Sequence, residues 1–242
     1  MELSRERIYV SDFRQGLQGG VSIGVGYLPI ALTFGLLAKT TGLSLMETVS
    51  MSVFVFAGAS QYISLSLIAV GASVFEIILT TFIVNIRHLL MSASLNEKVE
   101  PASAWTKSIY AFGITDETFS VAATREGTVK TGYIYGVIVL AYGSWVINSG
   151  IGYLIGASLP HSLQESMTVA LYAMFVGLLV PSLKKSRKVM FLAVLAAAFH
   201  SILEFFSWLS AGWAIVCSTL LSSIIVEGIE YLRKKGGMGH GK

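Results

Sequence analysis

Eight apolar stretches, each about as long as a bilayer-crossing helix, follow one another in this chain with only short linkers between them. A helix needs about 20 mostly apolar residues to cross the hydrocarbon core. By that measure the stretches lie near 17–38, 46–70, 74–95, 108–124, 131–157, 164–182, 188–208 and 211–232. No linker is long enough to hold a soluble domain. Composition agrees: 13% of the 242 residues are charged, against roughly 25% in soluble domains, and the mean hydropathy is +0.70. The expectation is an all-α, polytopic integral membrane protein of about eight transmembrane segments, some of them broken, forming a single transmembrane domain over 1–242. A short polar segment, 1–14, opens it, and the glycine-rich tail 236–242 is expected to be disordered.

Basic residues give the topology. Arg5, Arg7 and Arg14 precede the first stretch, and Arg125 and Lys130 flank the loop after the fourth. Lys184, Lys185, Arg187 and Lys188 follow the sixth; Arg233, Lys234 and Lys235 follow the eighth. With eight crossings all four groups fall on one side, the cytoplasmic one by the positive-inside rule, which places both termini there. Seven crossings would strand a cluster on the far side. The net charge of +3 is too small to suggest nucleic-acid binding, and the clustering of the basic residues in short loops and at the termini reads as topology. The single Cys217 cannot close an intrachain disulfide and reads as a small packing residue. The polar start has no basic–apolar–small cleavage pattern, so the first stretch is expected to stay in the mature protein. There is no His-Glu-x-x-His helix, no Gly-x-x-x-x-Gly-Lys loop and no cysteine pair. No metal site, cofactor or ATP hydrolysis is expected of this chain.

Polar residues inside the apolar runs are the candidates for function. The third stretch carries Asn85, Arg87 and His88 near its middle. A charge at such depth costs at least a few kcal/mol, so it marks a functional site by default. Asn85 and His88 are three apart and share a helix face, while Arg87 points roughly 100° from His88. The fourth stretch is interrupted by Asp116 and Glu117, at least one of which must face a polar interior if the segment crosses. The second contains Phe56-Ala57-Gly58-Ala59-Ser60-Gln61: small residues, then an amide, as at the unwound points where transporter half-helices aim their dipoles at substrate. A small-residue packing patch with Gln61 bonded to a neighbour is the alternative. Trp145 and Asn148 sit among spaced glycines in the fifth stretch; His200 and Glu204 share a face of the seventh. Glu76 and Glu97, near the ends of the third stretch, read as interfacial.

Two further patterns are structural. Gly16, Gly20 and Gly24 let helix backbones approach closely in lipid, and Pro29 would kink or break the same helix. Ser44-Leu45-Met46-Glu47 and Ser162-Leu163-Gln164-Glu165 share the capping-box pattern, each about forty residues before an intramembrane histidine. That similarity is compatible with two parallel repeats of four segments.

Three readings of the polar set compete. Arg87 offers a guanidinium fork suited to a carboxylate, an acidic residue of the fourth stretch can neutralise it or carry a proton, and His88 titrates near neutrality when unperturbed. Together they suit a zwitterionic substrate, a proton-coupled step, or both. A charge network that only locks the fold, in a non-transporting structural subunit, is the second reading. An intramembrane serine protease using Ser60 with His88 or His200 is the third, and it leaves Arg87, Asp116 and Glu117 without a role.

The runs Phe56-Ala57-Gly58-Ala59-Ser60-Gln61, Asn85-Ile86-Arg87-His88-Leu89 and Thr115-Asp116-Glu117-Thr118-Phe119, with Trp145 followed by spaced glycines, resemble the AzlC family of branched-chain amino acid permeases. The resemblance extends from Phe13 to about Leu232. It implies a secondary exporter of leucine, isoleucine, valine and related amino acids in the bacterial inner membrane, driven by the proton gradient rather than ATP. It implies a large subunit working with a small membrane subunit of AzlD type, and leaves room for a higher oligomer. The site residues expected from the whole reading are Gln61, Asn85, Arg87, His88, Asp116 and Glu117, with Ser60, Trp145, Asn148 and His200 as secondary candidates.

Overall fold

Each of the eight apolar stretches is helical in its described residues, and two of them are helical only in halves. In this computed structural model, which describes residues 11–155 and 158–237, the described residues form ten α-helices: α1 (Asp12–Thr40), α2 (Leu45–Phe54), α3 (Gly58–Ala69), α4 (Val74–Asn96), α5 (Ala104–Phe112), α6 (Asp116–Thr124), α7 (Thr131–Ile155), α8 (His161–Lys185), α9 (Arg187–Phe205) and α10 (Ala211–Gly237). The second stretch is α2 plus α3, broken at residues 55–57; the fourth is α5 plus α6, broken at 113–115. Five helices are long and apolar enough to cross a membrane: α1, α4, α7, α9 and the Ala211–Leu232 part of α10.

Some expectations change at the edges. Helix α1 already includes residues 12–14 of the expected polar segment, and α10 carries Gly236 and Gly237. Arg5, Arg7, Gly156 and the rest of the tail, 238–242, lie outside the described residues. Helix α1 runs through Pro29 without a break. Ser44 caps α2 in a complete capping box with Glu47, whereas Ser162 lies one residue inside α8.

The described residues divide into two compact units. One holds the chain up to Tyr62 together with Asn85–Thr168; the other holds Ile63–Val84 and the chain from Val169 onward. The first is built on α1 packed along α7, and its glycines explain the fit. A Cβ on Gly16 would stand 2.0 Å from the Tyr133 carbonyl oxygen, and one on Gly35 2.0 Å from that of Ser149. In return, Gly136 and Gly152 press on the carbonyls of Phe13 and Leu32. Backbone meets backbone, as small residues permit in lipid. Because Gly16, Gly20 and Gly35 meet successively later positions of α7, the two helices run parallel.

In the second unit α10 packs against α9. Glu76, expected at the interface, is instead buried. Its carboxylate accepts from Ser210 Oγ at 2.5 Å and from the Gly212 N–H at 2.9 Å. An anion at a helix start satisfies amides that the helix itself leaves unpaired. Outside the helices, Glu100 accepts from the Thr131 N–H and hydroxyl and pairs with Lys130 at 2.9 Å, tying the loop after α4 to the start of α7.

Candidate functional site

Both helix breaks of the first unit are closed by side chains, and each by a different chemistry. At the first, Val55 leaves helical geometry with φ −126° and ψ 80°. Phe56 and Ala57 are buried, and Gly58 starts α3 against the Trp145 ring, where a Cβ would come within 2.8 Å of the indole. Four polar groups then form a closed ring. Trp145 Nε1 donates to Gln61 Oε1 at 2.7 Å, and Gln61 Nε2 donates to Ser52 Oγ at 3.1 Å. Ser52 Oγ donates to Ser149 Oγ at 2.9 Å, and Ser149 Oγ to the Trp145 carbonyl at 2.7 Å. All four residues are buried. Ser52 lies on α2 and Gln61 on α3, so the ring pins both halves of the broken helix to α7.

The second break is charged. Thr115 caps α6, accepting from the Thr118 N–H at 3.3 Å, while Thr118 Oγ1 accepts from the Thr115 N–H at 2.7 Å and donates to the Gly113 carbonyl at 3.0 Å. Asp116 and Glu117 are thereby the first two residues of a helix, where carboxylates complement the N-terminal dipole. Their side chains go to different partners. Asp116 Oδ2 pairs with Arg87 Nη1 of α4 at 2.8 Å. Glu117 Oε2 accepts from the Tyr27 hydroxyl of α1 at 2.6 Å, and that hydroxyl also lies 2.8 Å from Thr115 Oγ1. His88 stands within the electrostatic reach of both Arg87 and Glu117. The Arg87 side chain is 40% exposed, but its Nε is covered and has no hydrogen-bond partner among the described residues.

Tyr27 joins the two breaks. Its ring meets Trp145 edge-on at 5.1 Å between centroids and Phe56 at 6.2 Å. Sequence reasoning missed it, along with Ser52, Ser149 and Thr115. A signal existed for Tyr27: a buried phenol in an apolar helix must find a partner for its hydroxyl.

The structure brings together Arg87, His88, Asp116 and Glu117. Asn85 takes the Ser60 hydroxyl proton on Oδ1 at 2.5 Å. That proton points at an amide oxygen, a poor base, which disfavours Ser60 as a nucleophile. Gln61 and Trp145 belong to the neutral ring. Asn148 is bound within α7, donating to the Ser144 carbonyl at 2.8 Å, and Ser144 Oγ reaches the Gly24 carbonyl at 2.6 Å. His200 belongs to the second unit, where its Nε2 lies 3.8 Å from Glu204 Oε2. Among the described residues no group of three or more His, Cys, Asp or Glu side chains is placed to hold a metal ion.

The sequence profile of the AzlC protein family matches residues 22–159, which include all of these residues except His200 and Glu204. The chain belongs to the AzlC family. It is 28% identical over 222 residues to the inner membrane protein YgaZ of Escherichia coli K12, covering 88% of this chain and 91% of that protein. An uncharacterized membrane protein of Archaeoglobus fulgidus is 32% identical over 174 residues, 71% of this chain and 76% of its own. The branched-chain amino acid transport protein AzlC of Bacillus subtilis is 24% identical over 188 residues, 76% and 72% of the two chains. No solved structure matches this AzlC-family chain.

Proposed function

We propose that this AzlC-family membrane protein is a secondary transporter that exports branched-chain and similar small apolar amino acids, coupled to proton movement. One observation carries the reading: Arg87 keeps a buried guanidinium N–H without an acceptor beside an ion pair, at the start of an interrupted helix. A buried charged donor left unpaired costs at least about 1–3 kcal/mol, and a substrate carboxylate is the acceptor that removes that cost. Interrupted helices near charged groups are the usual construction of transporter binding sites. The transport name of the Bacillus subtilis relative supports the substrate class. The apolar side chain of leucine, isoleucine or valine asks only for an apolar wall.

In this reading the protein is not an enzyme, lies in the inner membrane with both termini in the cytoplasm, and acts as a large subunit beside a small membrane partner. The test is counterflow in liposomes with a panel of amino acids, with and without a pH gradient and with and without the small subunit. Saturable leucine exchange blocked by valine is expected, with net flux following the gradient. Absence of exchange for every amino acid, with the partner present, would leave the structural-subunit reading in its place.

A further inference from the structure

The two carboxylates at the start of α6 are adjacent in sequence yet differ in what holds them. Asp116 is paired with a guanidinium, an always-charged group, at 2.8 Å. Taking a proton there would break the ion pair and leave Arg87 uncompensated. Glu117 instead accepts a neutral hydroxyl, and through one of its two oxygens, Oε2. A proton can be added to it without unpairing a charge. The Tyr27 hydroxyl also has a second acceptor in place, Thr115 Oγ1 at 2.8 Å, so losing the carboxylate leaves no orphaned buried donor.

The groups facing Glu117 fit the same division. Asp116 precedes it on α6 and pairs with Arg87 of α4, His88 of α4 lies within reach of its charge, and Tyr27 binds it from α1. Helix α7, also packed on α6, brings the Tyr142 phenol near the break, but that proton goes to the Val53 carbonyl at 2.8 Å. None of these need leave its partner for Glu117 to change state, Tyr27 excepted.

Resting on the transport reading above, we propose that Glu117 carries the coupled proton, that Tyr27 is its positioning residue, and that Asp116 stays ionised as the counter-ion of Arg87. The step balances. Glu117 carboxylate binds one proton to become the neutral acid, the Tyr27 O–H swings from Glu117 Oε2 to Thr115 Oγ1, and no proton leaves Tyr27. The change gives up the Tyr27 bond to the Glu117 carboxyl and leaves Tyr27 on the Thr115 cap of α6, while the Arg87–Asp116 pair still holds α6 to α4. Protonation thus acts on one side of the half-helix and substrate on the other.

Two measurements on the purified full chain, with its small subunit if transport requires it, test this. In liposomes, Glu117→Gln, a mimic of the protonated acid, loses pH-gradient-driven accumulation of leucine by about tenfold or more. Infrared difference spectra against pH report the protein without reference to transport. The carboxylic acid band that grows on acidification is lost in Glu117→Gln, kept in Asp116→Asn, and in Tyr27→Phe moves its half-titration to higher pH. Loss of that band in Asp116→Asn and not in Glu117→Gln overturns the assignment, as does gradient-driven accumulation that survives Glu117→Gln. Wild-type protein that exchanges no amino acid, with the band still assigned to Glu117, refutes the transport reading and with it the coupling role, but not the site of protonation.

Discussion

The two helix breaks of the first unit solve one problem in two ways. At residues 55–57 the interrupted backbone is held by a closed ring of neutral donors and acceptors, Trp145, Gln61, Ser52 and Ser149. At residues 113–115 it is held by charge, Arg87 on Asp116 and Tyr27 on Glu117. A neutral ring in an apolar interior has no competing partner to move to, so it fixes geometry. A charged pair can exchange one anion for another, because a guanidinium accepts any carboxylate of the right reach. The first break reads as a clamp and the second as the working end.

That contrast predicts where function and stability separate. The largest effect is expected from Arg87→Ala, which removes the fork and leaves Asp116 unpaired. Efflux of preloaded labelled leucine should fall by about a hundredfold or more, roughly 2.7 kcal/mol, while the protein still reaches the membrane. Efflux at the wild-type rate would remove the working end from the comparison. Gln61→Ala should do the reverse. It deletes two ring bonds and orphans the Trp145 N–H, at a cost of about 2–4 kcal/mol, read as a lower unfolding midpoint in detergent. A Gln61/Ser52 double-mutant cycle should show coupling; strict additivity would mean the ring is not a unit.

Ser60→Ala sharpens the boundary between the breaks. It loses the hydrogen bond to Asn85, for about 1 kcal/mol, and transport should continue. Abolished activity in a well-folded Ser60→Ala protein would revive the nucleophile.

The smallest effect lies outside both breaks. Bonds from Thr131 N–H, then Lys130, hold the Glu100 carboxyl down at about 2 against an ordinary 4.5. A depressed folded value means this contribution to stability is complete above about 4.5 and is lost as pH falls toward 2. Glu100→Gln should therefore lower stability slightly at neutral pH and flatten the acid limb of a stability profile over that window.

Much of this was open to a reader of the sequence. Hydropathy is a local sum, so the eight apolar stretches could be found without knowing what packs on what, and the second and fourth declared themselves by their small and acidic interruptions. Arg87, His88, Asp116 and Glu117 were visible because charge is rare in such runs. Glu76 was misread for a related reason: nothing local reveals that Ser210 and Gly212, over 130 residues away, supply its donors. For Gln61 the sequence left a binding role and a bond to a neighbouring helix side by side, and only the structure supplied its partners, Trp145 and Ser52.

The sequence by itself determined an all-helical membrane chain, its segment order and the short roster of groups that a membrane tolerates only for a reason. Tertiary structure alone decided the partners: Arg87 to Asp116 and not to its neighbour, Tyr27 to Glu117, Gln61 into a neutral clamp. The physical reason is that lipid is as apolar as a protein interior, so hydrophobicity puts each helix in the membrane without saying which neighbour it meets. Close glycine packing and a few polar bonds make that choice, between residues as much as 136 positions apart, and neither is written in any one stretch of the chain.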